Sequence, residues 1–177
     1  MAALCLFFSA QAQSQKSVKP IQVGQRMTEL ILNKIHNYKT TRCNLADIGF
    51  KFMIIQFWST GYAECTADFQ RIEELQCLYR NDLQFLKVTT DTEADVLSFL
   101  LTHPLAASSC IPFVTDDKVL SRLFPHNQSP QYVWMDGTGK IVAITTAKAV
   151  TEENIDLAFN HNPISISTPA AMPANVQ

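Results

Sequence analysis

The most restrictive feature of this sequence is an apolar run, residues 52–58 (FMIIQFW), in which only Gln56 is polar. A run of this length and composition predicts a strand in the middle of a sheet, covered on both faces. A short turn follows, after which apolar side chains recur every three or four residues, with charges between them. These positions are Cys65, Phe69, Ile72, Leu75 and Tyr79. We therefore predict a strand, a turn and an amphipathic helix that begins with a cysteine.

Strands and helices alternate along the rest of the chain. We predict strands at 30–32, 83–90, 111–115, 132–135 and 141–146, a single turn at 44–47, and helices at 92–101, 118–124 and 151–159. Asp136-Gly137-Thr138-Gly139 predicts a hairpin between the last two strands. The order predicts an α/β fold with a mixed central β-sheet flanked by helices, parallel through the crossovers and antiparallel at the hairpin.

The two ends of the sequence differ from its centre. Residues 1–12 (MAALCLFFSAQA) combine an apolar stretch with a small-x-small pattern, which predicts a signal peptide cleaved after Ala12 and a periplasmic or secreted protein. The alternative is a frayed hydrophobic N-terminus. We assign 13–22 to a flexible leader, 23–160 to one domain, and 161–177, rich in Pro, Ala and Ser, to a disordered tail or linker.

Composition excludes several classes of partner. The net charge is −2 and no basic stripe is present, so we expect no nucleic acid partner. No apolar run reaches the roughly 18 residues that a stable membrane span requires. No Cys/His cluster has the spacing of a zinc site, so we expect no metal and no cofactor.

Four cysteines remain if the one at position 5 leaves with the signal peptide: Cys43, Cys65, Cys77 and Cys110. An even number permits two disulfides in an oxidising compartment. Cys65 and Cys77 lie on one predicted helix, about 18 Å apart along its axis, and cannot bridge. We interpret most of these cysteines as small buried apolar groups.

The segment FWSTGYAEC at 57–65, its cysteine opening a helix, and Pro130 before the late hairpin resemble the exported TlpA/ResA-type thioredoxin-like proteins of the redoxin/AhpC-TSA superfamily. The resemblance covers residues 23–160, and residues 120–145 (LSRLFPHNQSPQYVWMDGTGKIVAIT) are most similar to Bacteroidetes members. It implies a thioredoxin fold and thiol–disulfide exchange in cell redox homeostasis. The substrates it implies are proteins or peptides, including disulfide-bearing ones.

Family members carry a CxxC pair, in which the first cysteine attacks a substrate disulfide and the second resolves the mixed disulfide. On that pattern Tyr62 stands at the attacking position and Cys65 at the resolving position. Gln56 replaces an acidic proton-relay residue beneath the site. The motif of this sequence, YAEC, is therefore degenerate.

The resemblance also assigns a substrate groove. Pro130, preceded by Ser129, matches a proline that faces the cysteine pair through a cis peptide bond. Trp58 and Gly61 would line the same groove from the turn after the apolar strand.

These replacements alter the expected chemistry. A tyrosine has a pKa of about 10 and cannot form a disulfide, and Gln56 cannot carry a proton. Glu64 adds a negative charge that opposes thiolate formation at Cys65. We therefore expect dithiol reductase activity to be weak or absent. Three interpretations of Cys65 stay open: an inert thiol in a peptide-binding module, one-cysteine exchange resolved by Cys110 or a partner thiol, and a single-cysteine peroxidase.

Overall fold

A computed structural model describes residues 18–27, 29–103, 107–127 and 130–164. The elements in chain order are β1 (Ile31–Asn33), β2 (Ile35–His36), β3 (Arg42–Asn44), a 3₁₀ helix (Leu45–Ile48), β4 (Phe52–Phe57), α1 (Ala63–Ala67), α2 (Phe69–Leu78), β5 (Leu83–Val88), α3 (Glu93–Thr102), β6 (Phe113–Val114), α4 (Leu120–Leu123), β7 (Gln131–Asp136), β8 (Ile141–Thr146), a second 3₁₀ helix (Ala147–Ala149) and α5 (Glu152–Phe159).

The central sheet has the strand order β2-β6-β5-β4-β7-β8. Strand β4 pairs in parallel with β5 and antiparallel with β7, and all six of its residues are buried. The mixed sheet and the central position of the apolar run are therefore as predicted. Because β4, β5 and β6 advance in one direction across the sheet, right-handed crossovers place α2 and α3 on the same face.

Alternate residues of β4 build the cores on the two faces of the sheet. Ile54 packs in the cluster that contains Ile72 of α2 and Ile155 of α5. Met53 points to the opposite face and packs in the cluster that contains Leu120 of α4. This alternation follows from the two-residue period of a strand. The predicted flanking of the sheet by helices is confirmed.

Hydrogen bonds fix the element boundaries that the sequence predicted. The side chains of Thr92 and Thr151 accept hydrogen bonds from backbone N–H groups in the first turns of α3 and α5, as helix N-caps do. In the β7–β8 hairpin the Asp136 carboxylate accepts from the backbone N–H of Thr138 at 2.8 Å. Gly139 has a φ of 80°, which a glycine adopts without steric cost.

The structure departs from the predictions in two regions. The strand predicted at 30–32 is present as β1, but its partner β3 and the edge strand β2 were not predicted. Both are too short to show a hydrophobic period, and they depend on partners far along the chain. The predicted single helix is divided at Asp68 into α1 and α2.

The ends of the chain are described in part. Ile21, within the predicted leader, donates its backbone N–H to the carbonyl of Leu123 at 2.8 Å and packs on the core. The predicted signal peptide with its cleavage site, Ser129, and residues 165–177 of the predicted tail lie outside the described residues. Among the residues that are described, no helix combines the length and apolar character needed to cross a bilayer.

The packing predicts a contrast between two Leu→Ala substitutions. Leu86 in β5 is 0% exposed, whereas Leu101 in α3 is 88% exposed. We expect Leu86→Ala to lower the free energy of unfolding by about 2–5 kcal/mol, because it leaves a cavity. Leu101→Ala should change it by no more than about 0.5 kcal/mol. Urea denaturation of both variants measures the difference, and equal losses would contradict this description of the core.

Candidate functional site

The turn after β4 is held by one carboxylate. Asp91, just beyond β5, accepts hydrogen bonds from the backbone N–H of Thr60 at 2.7 Å and from its hydroxyl at 2.9 Å. The Ser59 hydroxyl donates to the same carboxylate at 3.0 Å. Hydrogen bonds to an ionised acceptor are among the stronger ones in proteins. Asp91 therefore fixes the start of the turn against the segment that leads into α3.

Tyr62 and Cys65 differ sharply in their access to solvent. Tyr62 is 54% exposed just before α1, whereas Cys65, the third residue of α1, is 0% exposed. The backbone N–H of Cys65 donates to the carbonyl of Tyr62 at 3.0 Å and closes the first turn. The position that the resemblance assigns to an attacking thiol thus presents a phenol to solvent, and the thiol lies in the core.

The surroundings of Cys65 favour its protonated form. Burial raises the pKa of the Cys65 thiol, a hydrogen bond from the Ser59 backbone lowers it, and the negative charge of Glu64 raises it again. The carboxylates of Asp68 and Asp91 act in the same direction as Glu64. The net shift is upward from 9.0, so Cys65 carries little thiolate at neutral pH.

A buried polar network lies beneath the site. Gln56 donates from Nε2 to the hydroxyl of Tyr132 at 2.9 Å, and that hydroxyl donates to the carboxylate of Asp68. Arg71 Nε donates to the other carboxylate oxygen of Asp68 at 2.7 Å. Burial, followed by the charge of Asp68, raises the pKa of Tyr132, so its phenol stays protonated. Among the described residues, Gln56 Oε1 has no hydrogen-bond partner.

Trp58 belongs to an aromatic core cluster. It is 5% exposed, and its ring centroid lies 5.3 Å from that of Phe69 and 5.7 Å from that of Phe99. Cys65 packs in this same cluster. The side chain is therefore a core residue beside the turn, and its contribution to a groove stays a prediction.

Strand register brings Pro130 to the end of β4. Phe57, the last residue of β4, pairs with Gln131, the first residue of β7. Pro130 precedes Gln131 and is half-buried, so it adjoins the point where the chain leaves β4 for the turn. Gly61 is exposed in that turn. The cis peptide bond involves Ser129, outside the described residues, and stays a prediction.

The cysteines are less buried than the sequence suggested. Cys43 is half-buried and Cys77 and Cys110 are exposed, so the interpretation of most cysteines as buried is wrong. Cys77 lies on the outward side of α2, and Cys110 lies in the segment before β6. All four of these thiols, including Cys65, are free. Across the described ranges, no group of three His, Cys, Asp or Glu side chains could hold a metal ion.

Sequence reasoning missed three residues that organise the site: Asp68, Asp91 and Tyr132. Tyr132 could have been found, because alternation along a strand that begins at Gln131 turns it toward the face covered by α2. Asp91 stands just before the capping threonine of α3, a position typical of turn residues, but its contact with the turn of residues 59–62 depends on sheet order. Nothing in the sequence around Asp68 indicates that its carboxylate contacts Tyr132 and Arg71.

Comparison with known proteins shows the fold. No protein-family model matches this sequence, and no curated protein matches it. A solved structure assigned as the thiol:disulfide interchange protein DsbE of Chlorobium tepidum superposes with a TM-score of 0.65 at 20% identity, covering 78% of this chain and 98% of that one.

Two further solved structures agree with this superposition. The C-terminal domain of a protein assigned as a thiol-disulfide oxidoreductase from Bacteroides thetaiotaomicron has a TM-score of 0.60 at 14% identity, covering 79% of this chain and 95% of its own. A protein assigned as a thioredoxin from Neisseria meningitidis has a TM-score of 0.60 at 18% identity, with coverages of 75% and 89%. The predicted thioredoxin fold is confirmed.

The environment of the thiols predicts a labelling pattern. We expect iodoacetamide at neutral pH to alkylate the exposed Cys77 and Cys110 of the native protein within minutes and to leave Cys65 unmodified. Cys65 should react only after unfolding in urea, or in the native state above pH 9, because burial raises its pKa from 9.0. Peptide mass mapping measures this. Alkylation of native Cys65 at the rate of Cys77 would contradict the assignment.

Proposed function

We propose that this chain is an exported thioredoxin-fold protein, related to the thiol–disulfide oxidoreductases, that binds extended polypeptides without catalysing dithiol exchange. Binding takes place where the turn of residues 59–64 adjoins Pro130. The observation that carries this proposal is the contrast between Tyr62, which is 54% exposed, and Cys65, which is 0% exposed. The predicted signal peptide at residues 1–12 makes the periplasm the expected compartment.

Dithiol exchange needs an accessible thiolate and a second thiol that resolves the mixed disulfide. The phenol of Tyr62 supplies neither. Cys65 is enclosed by the aromatic cluster, and burial raises its pKa. Gln56 offers an amide where a proton-carrying group would be needed. We therefore expect the two-thiol cycle to be absent.

One-cysteine chemistry is less well supported than binding. Mixed-disulfide formation and peroxide reduction both require that the substrate reach the sulfur of Cys65. The carboxylates of Glu64, Asp68 and Asp91 all act against its thiolate form. A catalytic thiol of either kind would be favoured by nearby cations instead.

Peptide binding fits the groups that the site does expose. An extended peptide is held by hydrogen bonds to free backbone groups and by pockets or rings that receive its side chains. The aromatic ring of Tyr62 stands in solvent on a turn that Asp91 holds in place, which lowers the ordering cost of binding. The exposed carboxylate of Glu64 favours peptides that carry Lys or Arg.

The first test separates binding from exchange. We expect this protein to catalyse the reduction of insulin by dithiothreitol at least about a hundredfold more slowly than a two-cysteine thioredoxin does, since removing a nucleophile typically costs this much or more.

A capture assay tests the binding site. The Cys65→Ser and Tyr62→Phe variants should capture as much protein from a periplasmic extract as the unchanged chain, and Tyr62→Ala should capture less.

Leu78→Ala is the matched control, because Leu78 is also exposed but lies at the far end of α2. Capture that is lost equally in the Leu78 and Tyr62 variants would contradict a site at the turn. Capture as an adduct that dithiothreitol releases and Cys65→Ser abolishes would replace binding with one-cysteine chemistry.

A second test restores the missing groups. We expect Tyr62→Cys combined with Gln56→Asp to raise insulin reduction at least about tenfold, because the pair would supply an exposed attacking thiol and a buried acid. Tyr62→Ser with Gln56→Asp is the control, which matches the size of cysteine without its redox chemistry. Continued inactivity of a folded Cys/Asp variant would show that residue 62 does not occupy the attacking position.

A further inference from the structure

Two exposed thiols lie away from the turn. Cys77 is on the last turn of α2, and Cys110 is in the segment that enters β6. Both are free thiols. The proposed peptide-binding function uses neither of them. Their exposure distinguishes them from Cys65, which is 0% exposed.

Cys77 and Cys110 lie on two segments of the chain that are in direct contact. Glu73 precedes Cys77 by four residues, so the two side chains lie on one helix face, about 5–6 Å apart. The hydroxyl of Ser109 donates to the carboxylate of Glu73, and Cys110 follows Ser109 directly. A hydrogen bond therefore joins the helix that carries Cys77 to the segment that carries Cys110, at the residue before Cys110 and one helical turn from Cys77.

A buried cation completes this cluster. Lys87 in β5 donates from Nζ to Oε1 of Glu73 at 2.8 Å, and its side chain is almost fully buried. Glu73 therefore holds α2 both to β5 and to the segment that carries Cys110.

We propose that Cys77 and Cys110 form a reversible disulfide by exchange with a low-molecular-weight or protein disulfide. The thiolate of either cysteine attacks one sulfur of R–S–S–R, which gives a mixed disulfide on that cysteine and one thiolate R–S⁻. The thiolate of the other cysteine then attacks the Sγ atom of the first and releases the second R–S⁻. The two cysteine protons end on two R–SH molecules, so the pair is oxidised by two electrons and the added disulfide is reduced.

Oxidation would link α2 covalently to the segment before β6. The bond closes a loop between residues 77 and 110, which restricts the unfolded chain and so stabilises the folded one. Because both cysteines are exposed, soluble disulfides can oxidise the pair and soluble thiols can reduce it. The fraction of protein that carries the disulfide therefore depends on the redox state of the compartment. Peptide binding at Tyr62 does not enter this reaction.

The experiment uses the full chain equilibrated with oxidised or reduced glutathione, followed by intact mass measurement and peptide mapping. We expect the oxidised protein to lose two hydrogen masses and to yield one cross-linked peptide pair that contains both cysteines. Its thermal midpoint should rise by on the order of 5–10 °C over the reduced protein. Cys43→Ser should leave all of this unchanged.

Single variants test the pairing. Cys77→Ser should accumulate a mixed disulfide of glutathione on Cys110, Cys110→Ser should accumulate one on Cys77, and neither variant should form the internal cross-link. Glutathione on both cysteines of the otherwise unchanged chain, without a cross-link, would overturn the proposal. So would a cross-link between two chains, or one that includes Cys43 or Cys65. Peptide mapping detects the disulfide between Cys77 and Cys110 itself, so its result does not depend on whether the protein binds peptides at Tyr62.

Discussion

Each residue of β4 has a partner in β5 on one side and in β7 on the other, and both faces of the strand are covered. A strand held in this way cannot slip in register without moving its apolar side chains into water. The chain therefore leaves the sheet after Phe57 at a fixed point, beside the start of β7. The turn, the buried thiol and Pro130 take their positions from that point, and Asp91 then fixes the turn itself.

A carboxylate lies beneath the turn, in the segment between α1 and α2. The strand position that the resemblance assigns to an acidic residue holds Gln56, and Asp68 supplies the carboxylate of the buried network. Tyr132 connects the two as a protonated phenol. The same carboxylate binds Arg71 in α2. These hydrogen bonds therefore link the start of α2 to strands β4 and β7.

The sequence predicted those parts of the fold that are encoded locally. The apolar run of β4, the hairpin at residues 136–139 and the helices predicted at 92–101 and 151–159 each carry their own signal, and each is present. The interruption at Asp68 and the pairing of β2 with β6 depend on contacts between distant segments, which no local period reveals. The same limit applies to the site: the resemblance of residues 57–65 to the thioredoxin-like pattern pointed to Tyr62 and Cys65, but the hydrogen bonds between Asp91 and Thr60 depend on the order of the strands.

The described thiols differ in their exposure to solvent, and this difference bears on what the chain can do. Cys65 shares a core with Trp58 and Phe69, where burial stabilises the neutral thiol. Cys77 and Cys110 are exposed, on two segments that the hydrogen bond between Ser109 and Glu73 joins. The carboxylates that oppose ionisation of Cys65 lie around the turn instead. Access to a soluble disulfide therefore differs between the two places, and the proposed reaction of Cys77 with Cys110 does not require a reaction at Cys65.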